Sequence, residues 1–243
     1  PARDENRMII HYGLKVLSQT RNVGLKALYK AGGIANDRID EHTIGFQIGP
    51  RINAPGRVDH AAIALELLMT EDPARADELA AKIELQNRER QDLLEQIVTE
   101  ASTMIERDGL QKAAAIVLLG DTWAMGLIGL AASRIVERYY RPTLLLGKHT
   151  DGVAKGSGRS IESFNLLAGI HAQREMLTSY GGHEKAAGVQ VSQEKFEQFK
   201  TAFIAYAAEQ LSAEELLPKL RADAELKPAE ITEELVTELI RFR

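Results

Sequence analysis

Three short segments combine residue types that hold anions. Lys155-Gly156-Ser157-Gly158-Arg159-Ser160 sets a hydroxyl between two glycines and brackets it with Lys and Arg. Glycines of this kind let successive backbone N–H groups turn into one concavity, and charged side chains beside it hold phosphate oxygens. Lys155, Ser157, Gly158, Arg159 and Ser160 are therefore candidate phosphate ligands, against the plainer reading of a hairpin turn with solvent-facing charges. In Gly181-Gly182-His183-Glu184-Lys185-Ala186-Ala187-Gly188, the pair Gly181 and Gly182 predicts a tight turn with open backbone donors. His183 at its apex can donate to an anion or take a proton. The third segment, Ile48 to Arg57, carries two Pro and two Gly in ten residues, which predicts a shaped loop in place of a regular helix or central strand. Its Arg51 and Arg57, with Asn53 between them, can grip phosphates in bidentate fashion.

Groups that would do covalent or metal chemistry are missing from the pattern. Two-metal phosphodiester hydrolysis needs several Asp and His converging on ions about 3.5–4 Å apart. The six His are scattered, and Asp59-His60 is not followed by a second His at ligand spacing. No nucleophile elbow or Walker loop occurs. The chain has no Cys, which removes disulfides, zinc knuckles, iron–sulfur clusters and a thiol nucleophile. These segments hold anions without an engine to transform them.

The elements that position them fall into two halves. Residues 1–50 read as short helices, with apolar residues from Met8 to Leu17 and again from Leu25 to Tyr29, closed by Gly32-Gly33. A helix is predicted from Asp59 to Met69. Another starts at Pro73, capped by Asp72, and runs without Gly or Pro to Arg107. Those 35 residues would span about 50 Å, enough to connect two lobes. Beyond Gly109 the pattern becomes strand (Ala114–Leu119), helix (Gly126–Tyr140), strand (Pro142–Leu146), a βαβ unit with a parallel pair. Gly152–Ser157 and Ala187–Val191 read as further strands. Helices over Gln193–Leu211 and Ile231–Ile240 are expected to complete this lobe. The predicted fold is α/β: a helical N-terminal segment and long connector helix, then an α/β lobe with a mixed, partly parallel sheet flanked by helices.

Composition bounds these readings. With 243 residues, 44% hydrophobic and 27% charged, the chain can form one large domain or two small ones. No apolar run reaches the roughly 20 residues of a membrane span, so no membrane partner is expected. A net charge of −5 excludes a wholly basic nucleic-acid coat but not a local basic cleft. From Arg134 to Ser160 there are six Lys/Arg against two Asp/Glu, whereas Glu194 to Arg243 carries seven against eleven. The opening Pro1-Ala2-Arg3-Asp4 has neither an initiator Met nor a signal peptide, and a cytoplasmic piece of a longer protein is expected.

Together the segments resemble the RecJ family of single-strand-specific 5′→3′ exonucleases, within the DHH phosphoesterase superfamily. Asp4-Glu5-Asn6-Arg7 with Gly13-Leu14 resembles the stretch after the family's Asp-His-His core. Ile48 to Arg57 is similar to its Pro-Arg-Ile/Leu-Asn-Ala-Ala-Gly-Arg signature. Gly129–Arg134, Lys155–Ser160 and Gly181–Gly188 resemble motifs of the DHH-associated domain. The resemblance implies residues 1–58 as the C-terminal helical part of the DHH region and 59–110 as connector helices. It implies 111–215 as a substrate-binding domain and 216–243 as the start of a segment leading to a further C-terminal domain.

It further implies a parent enzyme of DNA repair and recombination whose Mn²⁺ or Mg²⁺ is bound by a lobe lying before Pro1, with no metal held by this chain. Single-stranded DNA with a 5′ end would be the substrate, with a single-strand-binding protein and a helicase as partners. Arg57, Ser157 and Arg159 match the family's ligands for the terminal phosphate or backbone, and His183 a catalytic contact to phosphate near the metals. The chain alone is expected to bind DNA weakly and to lack nuclease activity. Pro55 stands where Ala is usual, and Ala124 follows Trp123 where Trp-His is usual. Alternatives are a DHH phosphoesterase of short oligonucleotides or cyclic dinucleotides, a non-enzymatic nucleic-acid-binding module, and an editing-type module like those attached to some synthetases.

Overall fold

A computed structural model of the chain describes residues 3–58, 60–149, 151–220 and 222–241. Helices α1 (Asp4–Ser18) and α2 (Val23–Gly32) lead, with Gly33 closing α2 in the left-handed conformation at φ 64°. A short turn, α3 (Glu41–Thr43), opens the segment that the sequence marks as a loop. It continues as a π-helical turn over Ile44–Ile48, then α4 (Gly49–Asn53) and α5 (Pro55–Val58). The expectation of a non-helical loop is thus corrected. Pro50 lies in the first turn of α4 and Pro55 begins α5, positions where a missing N–H costs least. Ala54 N–H returns to the Arg51 carbonyl at 3.2 Å and Arg57 N–H to the Ala54 carbonyl at 3.0 Å, so tight turns bridge the break.

Helix α6 covers Ala62–Met69; the start predicted at Asp59 lies outside the described residues. Helix α7 (Pro73–Arg107) has the predicted bounds, and the Asp72 carboxylate accepts the Ala74 N–H at 2.9 Å. Its two halves bury their apolar stripe against different partners. Ala76, Leu79, Ala80 and Ile83 pack with Leu28 and Tyr29 of α2 and Leu67 of α6. Leu94, Ile97, Ala101 and Ile105 pack under the sheet that follows. Each fully buried Leu, Ile or Phe of this kind contributes about 1.5–3 kcal/mol.

That sheet takes its strands in the order β1 (Ile116–Gly120), β2 (Thr143–Lys148), β3 (Val153–Arg159), β5 (Ala186–Ser192), β4 (Leu177–Gly182). β1 and β2 are parallel, joined by α8 (Met125–Tyr139), and the remaining pairs are antiparallel. α7 and α8 cover one face. The other face packs Leu144, Leu146, Val189 and Val191 against α9 (Leu166–His171) and α10 (Phe196–Gln210), whose Phe199 and Phe203 are fully buried.

Strand β4 was not foreseen: Leu-Thr-Ser-Tyr-Gly-Gly has no apolar alternation, because it is a largely exposed edge strand. The last helix, α11 (Glu233–Arg241), does not complete the lobe as expected. Its Val236, Leu239 and Ile240 are exposed, and none of its residues joins the hydrophobic clusters of the lobe.

Candidate nucleic-acid interface

Strand β3 sorts its side chains by the two-residue period of a strand. Ser157 pairs with Leu145, which packs toward α8, so Lys155, Ser157 and Arg159 share the α8 face. Gly158 faces the opposite way: a Cβ there would meet Leu144 Cδ2 at 2.5 Å and Leu166 Cδ2 at 3.0 Å. Lys155–Ser160 is therefore not a phosphate loop of converging N–H groups. Its backbone is engaged in the ladder as far as Arg159, and Gly158 serves packing.

On the α8 face, Arg159 Nη1 donates to Ser157 Oγ at 3.0 Å and to the Gly158 carbonyl at 2.8 Å. Both side chains lie against Gly129 of α8, where a Cβ would stand 3.1 Å from Arg159 Nη2 and 3.2 Å from Ser157 Oγ. One turn earlier, a Cβ on Gly126 would stand 2.5 Å from the Arg57 carbonyl, and Arg57 Nη1 donates to the Gly126 carbonyl at 2.9 Å. Two bare positions three residues apart on α8 thus let α5 and β3 approach the same helix face. Burial, then the Arg57 charge, pushes the Arg159 guanidinium below its ordinary pKa.

The two arginines of the Ile48–Arg57 segment part company. Arg51 Nε donates to Glu84 Oε2 at 2.7 Å, and its other nitrogens reach the Gln47 carbonyl at 2.9 Å and the Gly32 carbonyl at 3.3 Å. The pair is nearly buried, with 15% and 13% of the two side chains exposed. Arg51 is thereby removed from the candidate site, correcting the expectation that both arginines grip phosphate. Arg57 and Asn53 are exposed and line a cleft of about 330 Å³ with Gly45, Pro50, Arg90 and Leu130.

A second groove of about 330 Å³ crosses the sheet beside α8, bounded by Met125, Lys155, Ser179, Gly181, Gly188 and Gln190. Ser157, Gly188 and Gly181 form one row across β3, β5 and β4, about 10 Å wide at ~4.8 Å per strand. With no side chain at two of the three positions, backbone forms the groove floor. Lys155 reaches its rim with Nζ 3.2 Å from Asp151 Oδ2.

The glycine turn is also displaced from its expected place. Gly181 and Gly182 pair with Gly188 and Ala187 inside the ladder, so the turn is His183–Lys185. Gly182 has φ 146°, and a Cβ there would strike the Ala186 carbonyl. His183 is exposed, and its Nδ1 accepts the Lys185 N–H at 3.3 Å. That bond leaves Nε2 of the neutral ring to carry the proton. Ser160 Oγ donates to the Phe164 carbonyl at 2.8 Å and ties the strand end to the lobe.

Sequence reasoning missed Arg90 on α7. It stands in register with the buried stripe Ile83, Leu94 and Ile97, and an Arg at an inward helical position was the available signal. Among the described residues no His, Asp and Glu side chains gather as a metal site. The donor set of Arg, Lys, Ser and backbone suits phosphate oxygens and does not fit a divalent cation.

Residues 111–209, the α/β lobe through α10, match the DHHA1 domain family. The lobe is a DHHA1 domain. Over nearly its whole length the chain is similar to the single-stranded-DNA-specific exonuclease RecJ of Bacillus subtilis, with 39% identity over 240 residues, 98% of this chain and 30% of that protein. The crystal structure of RecJ from Thermus thermophilus in complex with Mn²⁺ superposes with a TM-score of 0.76 at 33% identity, covering 86% of this chain and 30% of that one. The same protein in complex with Mg²⁺ gives 0.75 at 33% identity, with 86% and 32% covered. The chain belongs to the RecJ family and spans about a third of the length of these relatives.

Proposed function

We propose that this chain is the substrate-anchoring part of a single-strand-specific 5′→3′ exonuclease, holding the 5′ end of DNA while a separate metal-binding lobe hydrolyses the phosphodiester. The observation that carries this reading is the meeting of Arg57, Ser157 and Arg159 at Gly126 and Gly129. Among the described residues no carboxylate lies within 4.0 Å of either arginine. Two guanidiniums and a hydroxyl without a counter-charge form a site for a phosphate. The chain's own residues bind and position: Arg159 and Ser157 hold the terminal phosphate, Arg57 its outer oxygens, and Lys155 the following backbone. His183 donates from Nε2 to a phosphate oxygen at the other end of the row. The glycine floor admits an unpaired strand by its sugar and phosphate without reading bases.

Mn²⁺ or Mg²⁺, named in the solved RecJ structures, would supply the water activation, and this chain offers it no ligands among the described residues. In this reading the whole protein works in the cytoplasm in DNA repair and recombination, on ends presented by a single-strand-binding protein and a helicase. No helix among the described residues is long and apolar enough to cross a membrane.

Fluorescence anisotropy of the chain with a short oligo(dT), with and without a 5′-phosphate, tests the reading. The phosphorylated strand is expected to bind about ten-fold tighter at low salt, the effect of one charge-assisted contact. Arg159→Ala abolishes the preference and leaves the melting temperature within a degree or two. Equal binding of both strands by the unaltered chain overturns the reading.

A further inference from the structure

The middle of α7 buries a positive charge for which no described residue provides a negative one. On its inward face Gln86, Asn87 and Arg90 separate the apolar stripe of the first half from that of the second. Arg90 is 9% exposed; its Nη2 donates to Asn87 Oδ1 at 3.1 Å, and its Nε has no hydrogen-bond partner. Among the described residues the charged groups around it are Arg57, Arg134 and Arg51, all positive; burial first, and then these charges, holds its pKa below the ordinary value. The nearby carboxylates are engaged elsewhere: Glu84 with Arg51 and Arg88, Glu95 with Arg134. An uncompensated buried cation is strongly unfavourable, and proteins keep one where a ligand brings the counter-charge.

Arg90 faces the cleft that Arg57 also lines, between α4–α5 and Leu130 of α8. Arg57 lines this cleft with Arg90 and bonds α8 at the Gly126 carbonyl, one turn from the Gly129 position against which Arg159 lies, so the three guanidiniums share one neighbourhood. We propose that Arg90 is a ligand of the strand's 5′-phosphomonoester, closing with Arg57 on the side opposite Ser157 and Arg159. The inference rests on the anchoring role proposed above. A phosphomonoester carries nearly two negative charges at neutral pH, which suits three guanidiniums better than the single charge of an internucleotide diester. The terminal phosphate would then join α5, the connector helix and the sheet lobe in one contact.

The test uses the full chain, unaltered and as Arg90→Met and Arg90→Lys, with 5′-phosphorylated and 5′-hydroxyl oligo(dT). Two readouts are taken, anisotropy and thermal melting. Without DNA, Arg90→Met is expected to melt higher than the unaltered chain, because the unpaired buried charge is gone. Its preference for the phosphorylated strand falls from about ten-fold to near parity, and Arg90→Lys retains more of it than Met does. Stabilisation by the phosphorylated strand shrinks in parallel in Arg90→Met. A Met variant that melts lower, fails to fold, or keeps the full preference makes Arg90 a structural residue and overturns the proposal. Absence of any phosphate preference in the unaltered chain instead overturns the anchoring role itself.

Discussion

Arg51 and Arg57 occupy one helical segment six residues apart, and the two ends of that segment are electrostatically unlike. Around Arg51 the helical region is closed: Glu84 holds Arg51 and Arg88, Asp77 holds Lys30, and Glu66 and Glu78 hold Arg75. Around Arg57 the charges are open, with Arg90 and Arg159 as neighbours and no carboxylate among the described residues within ion-pair distance. Under the proposed function, the same residue type in one short motif serves stability at one end and binding at the other. What separates the roles is whether the fold provides a carboxylate, and that comes from a helix far away in sequence.

The largest effect expected from this contrast is on stability. Arg51→Ala leaves Glu84, 13% exposed, with only the exposed Arg88 as partner. Removing one member of a nearly buried pair costs about 3 kcal/mol. Thermal unfolding would report it as a fall of about 6–12 °C for a chain of this size. The preference for a 5′-phosphorylated strand should survive at temperatures where the variant is folded. A loss of that preference with an unchanged melting temperature would mean the two ends are not divided as described.

Gly129→Val reverses the balance. A branched side chain beside Arg159 Nη2 and Ser157 Oγ forces both to move, at an overpacking cost of about 1–3 kcal/mol. Binding of the phosphorylated strand should weaken by up to about ten-fold, to the level of the 5′-hydroxyl strand, whose own binding changes little. Equal weakening of both strands in anisotropy would place the terminal phosphate away from α8.

These variants also show which parts were legible in the residues. The bounds of α7 were, because Asp72, Pro73 and an uninterrupted run to Arg107 each state a local rule. So was the βαβ order of β1, α8 and β2. The Lys155, Ser157, Arg159 alternation was not: glycines around a serine read as a phosphate loop, whereas that backbone is engaged in the ladder. The helical turns over 44–58 were not: Pro50 and Pro55 read as breakers unless their first-turn positions are known. Nothing local distinguishes Arg51 from Arg57, since Glu84 lies 33 residues away from Arg51. Arg90 was hidden for the opposite reason, because an Arg in a charged helix reads as solvated until its register with Ile83 and Leu94 is set against a packed neighbour.

The smallest expected effect separates the two ends by pH. Asp40 opens the closed end, its carboxylate accepting the Thr43 N–H and hydroxyl, each at 2.7 Å. Those bonds, the backbone one first, hold its pKa below the ordinary carboxylate value. A carboxylate depressed on folding gives stability that is fully present above its unfolded value near 4, and that is lost as pH falls through the lower folded value. Asp108, bonded to Arg107, and Glu215, bonded to Ser212, share this direction. Asp40→Asn keeps a capping oxygen but cannot titrate, so its melting temperature should fall less steeply below pH 4 than that of the unaltered chain. The open end faces a ligand that itself titrates. Its phosphate preference should instead weaken where the ligand takes up its second proton, near pH 6. Two separate pH midpoints, one in melting and one in anisotropy, are the expected result. An unchanged acid slope in Asp40→Asn would remove Asp40 from the closed network, and a phosphate preference that persists undiminished from pH 7 to pH 5 would mean the open end reads one phosphate charge and not two.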